Sequence, residues 1–421
     1  MKAQHITELL VGLAAVVLLA RLLGALARRL DQPAVIGEVL AGILLGPTLA
    51  GDAISGHLFP ADIRPQLSAL ATIGVAVFMF TVGLEWDTAQ ARGSGGFAVT
   101  VSLSSIVLPF GLGSALGLYL LRGHQSPNHT AFVLFLGIAM SITAFPVLAR
   151  ILTERDLART TLGVLALACA SIDDVLAWSV LAAVTALSGA AGAEQWRVLL
   201  LVPYLLGMLF VVRPLLRRLL ARSGTLGPAG FAGILAGLLL SAGATEWVGL
   251  HFIFGAFLFG AVVPREQTAR LRTQIHDQLG QLGQTMLLPV FFLTAGLNVD
   301  LSGIGLGGLR DLVLILLVAI GGKFAGAYLA ARGKGMPARQ SAALATLMNT
   351  RGLTELIALS VGLSLGIIDR ELYSLMVVMA VVTTAMAGPL LRWILPRRLV
   401  EAEASRESVS ADAPAALRDR A

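Results

Sequence analysis

The stretch Ala168-Cys-Ala-Ser-Ile-Asp-Asp-Val-Leu-Ala-Trp178 places two adjacent carboxylates, Asp173 and Asp174, inside an apolar run. The run extends over residues 161–187 and contains no other charged residue. A carboxylate at the centre of a membrane span costs at least ~2.5–3.5 kcal/mol on insertion scales, and two neighbouring carboxylates also repel each other. Such a pair is either a buried pair satisfied by hydroxyl groups or a site for a cation, for protons, or for both in turn. We favour the second interpretation.

The composition indicates that the solvent around this chain is a lipid bilayer. Of the 421 residues, 56% are hydrophobic and 13% are charged, whereas soluble domains carry about 25% charged residues. The net charge of +6 does not indicate nucleic-acid binding, because aromatic residues are few and the arginines are spread along the chain. The single Cys169 excludes an intramolecular disulfide. We therefore expect an all-α polytopic membrane protein.

Apolar runs of about 20 residues predict about thirteen transmembrane helices. The predicted spans are 6–27, 34–50, 66–84, 97–121, 130–151, 161–187, 198–216, 227–244, 250–264, 281–298, 312–331, 341–366 and 371–395. The tail, residues 400–421, is rich in Ala, Ser, Glu and Asp and is predicted to be disordered and cytoplasmic. If the N-terminus lies outside, the arginines concentrate in the inner loops, which predicts an N-out, C-in protein of the inner (plasma) membrane.

Two pairs of motifs indicate an internal repeat. The sequence Thr81-Val-Gly-Leu-Glu-Trp-Asp87 closes span 3, and Thr294-Ala-Gly-Leu-Asn-Val-Asp300 closes span 10. Gly37 and Gly42 of span 2 match Gly255 and Gly260 of span 9, in the same order and at a similar separation. Because an odd number of spans separates the copies, the second copy enters from the opposite side of the membrane. This pattern predicts inverted-topology repeats that pair spans 1–6 with spans 8–13.

Spans 5 and 12 correspond under this pairing, and neither has the sequence of a continuous helix. Span 5 contains Pro146, which removes a backbone hydrogen bond. Span 12 contains Asn349-Thr-Arg-Gly-Leu-Thr-Glu355, which places Arg351 and Glu355 at membrane depth. Interrupted spans at matching positions of two halves indicate a transport site. The alternative is a proline kink together with an Arg–Glu pair at the membrane interface.

Span 11 contains Lys323 near its midpoint, too deep for the amine to reach water comfortably. Its possible anionic partners are Asp173, Asp174 and Glu355. Successive residues of a helix point about 100° apart, so one aspartate is expected to face an ion pathway while the other reaches Lys323. The alternative is that Lys323 only holds two helices together.

Four motifs together carry a family resemblance. They are Asp173-Asp174 followed by Trp178, the run from Gly37-Glu38 to Gly46-Pro47, Phe291-Phe-Leu-Thr-Ala-Gly-Leu297, and Asn349-Thr-Arg-Gly-Leu-Thr-Glu355. With these motifs the chain resembles the bacterial sodium (or potassium)/proton antiporters of the second cation–proton antiporter family, over everything except the tail. The resemblance implies two crossed, broken helices beside the aspartate helix, and a homodimer. Within a transmembrane unit of residues 1–399 it implies a core (about 97–187 and 312–395) and a dimerisation or scaffold domain (about 6–84 and 198–298).

The resemblance also implies roles for individual residues. Asp173 and Asp174 would bind the monovalent cation or protons, with the ion on Asp174, and Lys323 would pair with an aspartate. The remaining residues concern the broken spans: Ser141 and Thr143 would line the unwound crossing, and Arg351 and Glu355 would stabilise span 12.

The expected function is secondary active transport, in which a monovalent cation (Na⁺ and/or K⁺) and protons compete for the paired aspartates by alternating access. The alternatives are export or symport of a small organic solute on the same scaffold, and a cation channel. Both would need more polar residues in the membrane than the single cluster present here. The six histidines lie at span ends or in loops without metal-ligand spacing, so no enzyme activity and no cofactor are expected.

Overall fold

The computed structural model describes residues 3–30, 32–46, 56, 58–85, 95–155, 157, 160–189, 200–222, 227–248, 250–264 and 269–395. Within these ranges the chain is almost entirely helical and contains no strand, which confirms the predicted all-α fold. The first half contains the helices α1 (Ala3–Arg29), α2 (Ala34–Leu45), α3 (Arg64–Glu85), α4 (Gly95–Leu120), α5 (His129–Ser141), α6 (Phe145–Glu154) and α7 (Thr161–Gly189). A short 3₁₀ turn, Ala61–Ile63, leads into α3.

The second half contains two helical stretches that include a π-helical turn, and a further span, residues 338–364, in which the helix is interrupted. Its helices are α8 (Leu201–Gly207), α9 (Arg213–Arg222), α10 (Pro228–Val248), α11 (Phe252–Val262), α12 (Ala269–Leu282), α13 (Leu288–Leu297), α14 (Leu306–Gly333), α15 (Ala338–Met348), α16 (Leu353–Ser364) and α17 (Arg370–Ile394). The π-helical turn Met208–Val212 joins α8 to α9, and Gly283–Leu287 joins α12 to α13.

Eight helical segments of the described chain are long and apolar enough to cross a membrane. They are His5–Arg29, Arg64–Leu84, Gly96–Leu120, His129–Thr153, Thr161–Thr185, Pro228–Val248, Leu306–Gly333 and Arg370–Ile394. Three shorter apolar helices are α2, α11 and α16. The chain is therefore a multi-pass membrane protein. The count of thirteen spans stays a prediction, and the predicted tail, residues 400–421, lies outside the described residues.

Both spans that the sequence marks as interrupted are broken in the structure. Residues 142–144 separate α5 from α6, and residues 349–352 separate α15 from α16. Pro146 lies in the first turn of α6, where the missing N–H would have no partner within the helix. The proline therefore begins the second half-helix instead of kinking a continuous one. The prediction that spans 5 and 12 are interrupted is confirmed.

Two glycine pairs mark close approaches between helices outside the two interrupted spans. A Cβ at Gly296 of α13 would lie 2.2 Å from the carbonyl carbon of Gly42 in α2. A Cβ at Gly260 of α11 would lie 2.1 Å from the carbonyl oxygen of Phe80 in α3, beside Gly83. One contact joins spans 2 and 10, and the other joins spans 9 and 3, so the predicted repeat makes them equivalent. This reciprocity supports the inverted repeat, which stays a prediction.

A third close approach places α14 against α4. A Cβ at Gly326 would lie 2.4 Å from the carbonyl oxygen of Ser104, and one at Gly322 would lie 3.2 Å from Cα of Pro109. Small residues allow such contact between helix backbones in membranes. The approach places the segment of α14 that carries Lys323, between these two glycines, next to α4.

Candidate functional site

The two breaks lie against each other. The backbone N–H of Ala144 donates to the carbonyl oxygen of Thr350 at 3.0 Å. The hydroxyl of Thr143 lies 3.0 Å from the carbonyl oxygen of Met348, at the end of α15. The broken helices therefore cross through their unwound residues, as the resemblance implies. The crossing brings ends of half-helices, with their partial charges and unpaired backbone groups, into the interior of the molecule.

Arg351 joins the two breaks from one side. Its guanidinium donates to the carbonyl oxygens of Ala139 and Met140, at 2.7 Å each, in the last turn of α5. These carbonyls have no partner within the helix because α5 ends at Ser141. A positive charge is also favourable at the C-terminal end of a helix. Arg351 is completely buried, and it caps a half-helix of the other broken span.

The charge of Arg351 is balanced by Glu355. The guanidinium Nη1 lies 2.8 Å from Oε1 of Glu355, which is also completely buried. Glu355 lies in the first turn of α16, where the helix dipole favours a negative charge. Thr384 of α17 accepts from the backbone N–H of Arg351 at 3.1 Å and donates to its carbonyl oxygen at 2.7 Å. These contacts connect the break of span 12 to α5 and α17, and the stabilising role of Arg351 and Glu355 stays a prediction.

Asp173, on α7, is surrounded by donors. Its Oδ2 lies 2.9 Å from Nζ of Lys323 and accepts from the hydroxyl of Thr143 at 2.8 Å. Ser105 lies 3.0 Å from the same oxygen, and the hydroxyl of Ser102 donates to Oδ1. The ammonium of Lys323 also donates to the carbonyl oxygen of Ser141, the last residue of α5 before the break of span 5. Asp173 and Lys323 are completely buried, and such a charge pair is stable only when its remaining hydrogen-bonding capacity is used.

The neighbouring Asp174 has a different environment. Its side chain is 6% exposed, whereas that of Asp173 is 0% exposed. Its Oδ1 is buried and has no hydrogen-bond partner in the part of the chain that the structure describes. The amide oxygen of Asn349, in the break of span 12, is likewise buried without a partner there. Oxygen atoms of this kind are the ligands that an alkali cation or a proton could use.

The structure brings most of the predicted site residues together at Asp173. Thr143 reaches Asp173, and Lys323 reaches Asp173 and not Glu355. Ser141 departs from the expectation, because its hydroxyl donates to the carbonyl oxygens of Gly137 and Ile106 at 2.9 and 3.0 Å. It takes part in the site only through its own carbonyl oxygen.

Sequence reasoning missed Ser102 and Ser105. Both are completely buried on α4 and contact Asp173. Their signal in the sequence is a spacing of three residues, which puts two of the serine hydroxyls of this span on one face of the helix. Buried polar groups in a membrane helix are expected to have partners, but a serine often finds one in its own helix backbone, so this spacing alone did not indicate a carboxylate.

A helical membrane protein whose two interrupted helices cross beside a buried Asp–Lys pair has the architecture of a secondary transporter. Residues 14–397 match the family described as "Sodium/hydrogen exchanger, transmembrane". The chain belongs to this sodium/hydrogen exchanger family. It is therefore a transporter and not an enzyme, and its transport needs no cofactor.

Similar proteins include the Na⁺/H⁺ antiporter NhaS4 of Synechocystis, which is 40% identical over 92% of this chain and 97% of the relative. The K⁺/H⁺ antiporter 1 of Saccharomyces cerevisiae is 33% identical over 87% of this chain and 44% of the relative. Cation/H⁺ antiporter 20 of Arabidopsis thaliana is 36% identical over 95% of this chain and 50% of the relative. The chain thus spans nearly all of the cyanobacterial relative but about half of the yeast and plant relatives.

A solved structure, the sodium proton antiporter MjNhaP1 of Methanocaldococcus jannaschii, has a similar fold. It superposes with a TM-score of 0.64 at 13% identity, over 92% of this chain and 96% of that one.

Proposed function

We propose that this protein exchanges a monovalent cation, Na⁺ or K⁺, for protons by alternating access at Asp173 and Asp174. The observation that carries the proposal is the unequal environment of the two carboxylates at the crossing. Asp173 is neutralised by Lys323, whereas Asp174 has a buried oxygen that has no partner among the residues the structure describes. Asp174 is therefore the carboxylate that takes the transported cation, with Thr143 and the unwound backbone of the crossing beside the site.

Exchange follows from competition for these carboxylates. A cation and protons cannot both neutralise the same oxygen atoms, so the arrival of one releases the other. A site with neither would carry uncompensated charge, which is costly to move through a hydrophobic barrier. Only the loaded site moves easily between the two sides of the membrane, and this makes the exchange obligatory. Arg351 and Glu355 keep the crossing intact during the movement.

The division into a core and a scaffold is part of the same proposal. Asp173, Lys323 and both breaks belong to the proposed core, residues 97–187 and 312–395. The proposed scaffold, residues 6–84 and 198–298, contains α8, α9 and the π-helical turn that joins them, on which Val202, Phe210 and other large apolar side chains are exposed. Such a face can meet lipid or a second copy of the chain, so the homodimer is proposed from the family resemblance.

The orientation is proposed from the arginines. With the N-terminus outside and the C-terminus in the cytoplasm of an inner (plasma) membrane, the arginine-rich loops face the cytoplasm. The chain has one cysteine, Cys169, and it is buried. Single cysteines introduced at Gly335 and Gly366 lie at opposite ends of the broken span 12. A membrane-impermeant maleimide added to whole cells should label position 366 only, and labelling of position 335 alone would reverse the proposed orientation.

The activity is tested with purified protein in liposomes that contain a pH-sensitive dye. Sodium, potassium, lithium or an organic solute is added in turn, with and without a clamped membrane potential. We expect a dye response to an alkali cation that Asp174→Asn abolishes. Asp300→Asn, in the loop before α14, is the matched control and should keep the response. No response to any alkali cation, or a response that Asp174→Asn retains, would refute the proposed exchange at this site.

A further inference from the structure

Ser102 and Ser105 lie on α4, which packs closely against α14, the helix that carries Lys323. Neither belongs to a motif that indicated the site. Ser102 donates to Oδ1 of Asp173, and Ser105 lies 3.0 Å from Oδ2 and 3.3 Å from Oδ1. With Thr143 and Lys323, they surround the carboxylate of Asp173 with four donors, which come from two helices, α4 and α14, and from the break of span 5.

The four donors differ in their freedom to leave Asp173. The hydroxyl of Ser105 has a second acceptor, the carbonyl oxygen of Ser102, at 2.9 Å. Thr143 has the carbonyl oxygen of Met348, and Lys323 has that of Ser141. Ser102 has no second acceptor in the part of the chain described, so its hydroxyl is committed to Asp173. A donor that lost this acceptor would be buried and unpaired, which is unfavourable.

The four donors occupy the carboxylate oxygens of Asp173 and so make them less available to a cation. A transported ion could bind Asp173 only by displacing hydroxyl hydrogens and the ammonium of Lys323 from its oxygens. Asp174, the adjacent residue, has an oxygen that accepts from no donor within the described ranges of the chain. The serines thus contribute to the difference between two carboxylates that are neighbours in the sequence.

We propose that Ser102 and Ser105 are positioning residues, which hold Asp173 on Lys323 and thereby reserve the transported cation for Asp174. The inference rests on the proposed exchange and adds two residues to its site. When the hydroxyls are removed, Asp173 keeps fewer competing donors and becomes available as a second ligand. The cation should then bind more tightly and leave more slowly.

The test compares Ser102→Ala, Ser105→Ala and the double variant with wild type. Ser104→Ala is the matched control, because Ser104 lies on the same helix but is half-buried and its hydroxyl makes none of the contacts with Asp173. Exchange in liposomes gives KM for the cation and the maximal rate. Isothermal titration of the purified protein with sodium or potassium gives Kd without requiring transport.

We expect KM and Kd to fall about three- to tenfold in the double variant, with a lower maximal rate, and to stay unchanged in Ser104→Ala. A merely structural role would lower the maximal rate without changing KM or Kd. Repeating the substitutions in an Asp173→Asn background separates the two, because the serines act through Asp173 and should have no effect on Kd there.

Each outcome decides a different statement. Active wild type with KM and Kd unchanged in the double variant would overturn the positioning role and leave the exchange intact. A wild type that binds cation with the expected serine effect but does not exchange it would refute the exchange and keep the positioning role. Loss of cation binding in Asp173→Asn, or a serine effect that persists in that background, would overturn the division between the two carboxylates.

Discussion

Lys323 lies on Asp173 and not on Asp174: its Nζ is 2.9 Å from Oδ2 of Asp173, while Oδ1 of Asp174 has no partner among the described residues. The two carboxylates are one residue apart on α7, so their side chains point about 100° apart. One therefore meets the hydroxyls of α4 and the amine of α14, and the other does not. This geometry gives the two adjacent aspartates different roles: Asp173 is paired with Lys323, and Asp174 keeps an oxygen available to an ion.

The first prediction concerns the stability of this pair. Lys323→Met leaves the carboxylate of Asp173 buried without a counter-charge, and we expect the free energy of unfolding to fall by about 3–5 kcal/mol. Asp173→Asn in the same chain removes the charge and keeps an acceptor for Ser102, so it should restore most of the loss. Chemical denaturation in detergent measures both, with the exposed Lys334→Met as control. A double variant no more stable than Lys323→Met would contradict the buried pair.

The second prediction concerns the cap that Arg351 forms on α5. Arg351→Lys keeps the charge, but an ammonium group cannot reproduce the planar fork that contacts two carbonyl oxygens and Glu355 together. We expect a loss of about 2–3 kcal/mol of stability and slower exchange. Arg332→Lys is the control, because Arg332 is exposed on α14 and donates to a single carbonyl oxygen. Equal effects of the two substitutions on the melting temperature would show that the crossing does not depend on the guanidinium.

The crossing itself could be predicted from the sequence, because backbone breakers and charged residues have few reasons to occur in the middle of a membrane span. Pro146 and the Arg351–Glu355 segment marked both breaks on this ground. The partner of Lys323 could not be predicted, because the choice between Asp173 and Asp174 depends on the rotation of α7 relative to α4 and α14. That rotation is set by packing across the whole bundle.

Ser102 and Ser105 were missed for a related reason. A serine in a membrane span often donates to its own helix backbone, so its presence alone does not indicate a site. Only the contact between α4 and α7 shows that these two hydroxyls face a carboxylate. The hydroxyl of Ser141 illustrates the opposite case, since it lies at the crossing but bonds to backbone carbonyls.

The third prediction tests the glycine contacts between helices. Gly260→Ala places a Cβ 2.1 Å from the carbonyl oxygen of Phe80, so α11 and α3 must separate. We expect a loss of about 1–3 kcal/mol. Gly243→Ala on α10 is the control: it meets no atom within 4 Å, and alanine favours a helix over glycine by up to about 1 kcal/mol. The melting temperature should fall for the first variant and stay or rise for the second. Equal changes would refute the close contact.

A histidine outside the membrane spans joins three segments of the proposed core. His124, in the loop after α4, is buried, and its Nδ1 lies 2.7 Å from Oδ2 of Asp369, which begins α17. Its Nε2 lies 3.9 Å from Oδ2 of Asp311 on α14. Burial lowers the pKa of His124, but the hydrogen bond to Asp369 and the charges of Asp369, Glu371 and Asp311 outweigh it, so the pKa is raised. Burial raises the pKa of Asp369, but the hydrogen bonds from His124 and from the N–H of Leu372 outweigh it and lower the pKa.

The fourth prediction follows from the signs of these shifts. A histidine whose pKa is raised by folding stabilises the protein fully below its unfolded value, about 6.5, and loses that contribution as the pH rises through the folded value. His124→Gln should therefore lower the free energy of unfolding by about 1–2 kcal/mol at pH 6 and by much less at pH 9. Denaturation at the two pH values measures the difference, with the exposed His129→Gln as control. A loss of the same size at both pH values would show that packing, and not the charge of His124, holds these segments together.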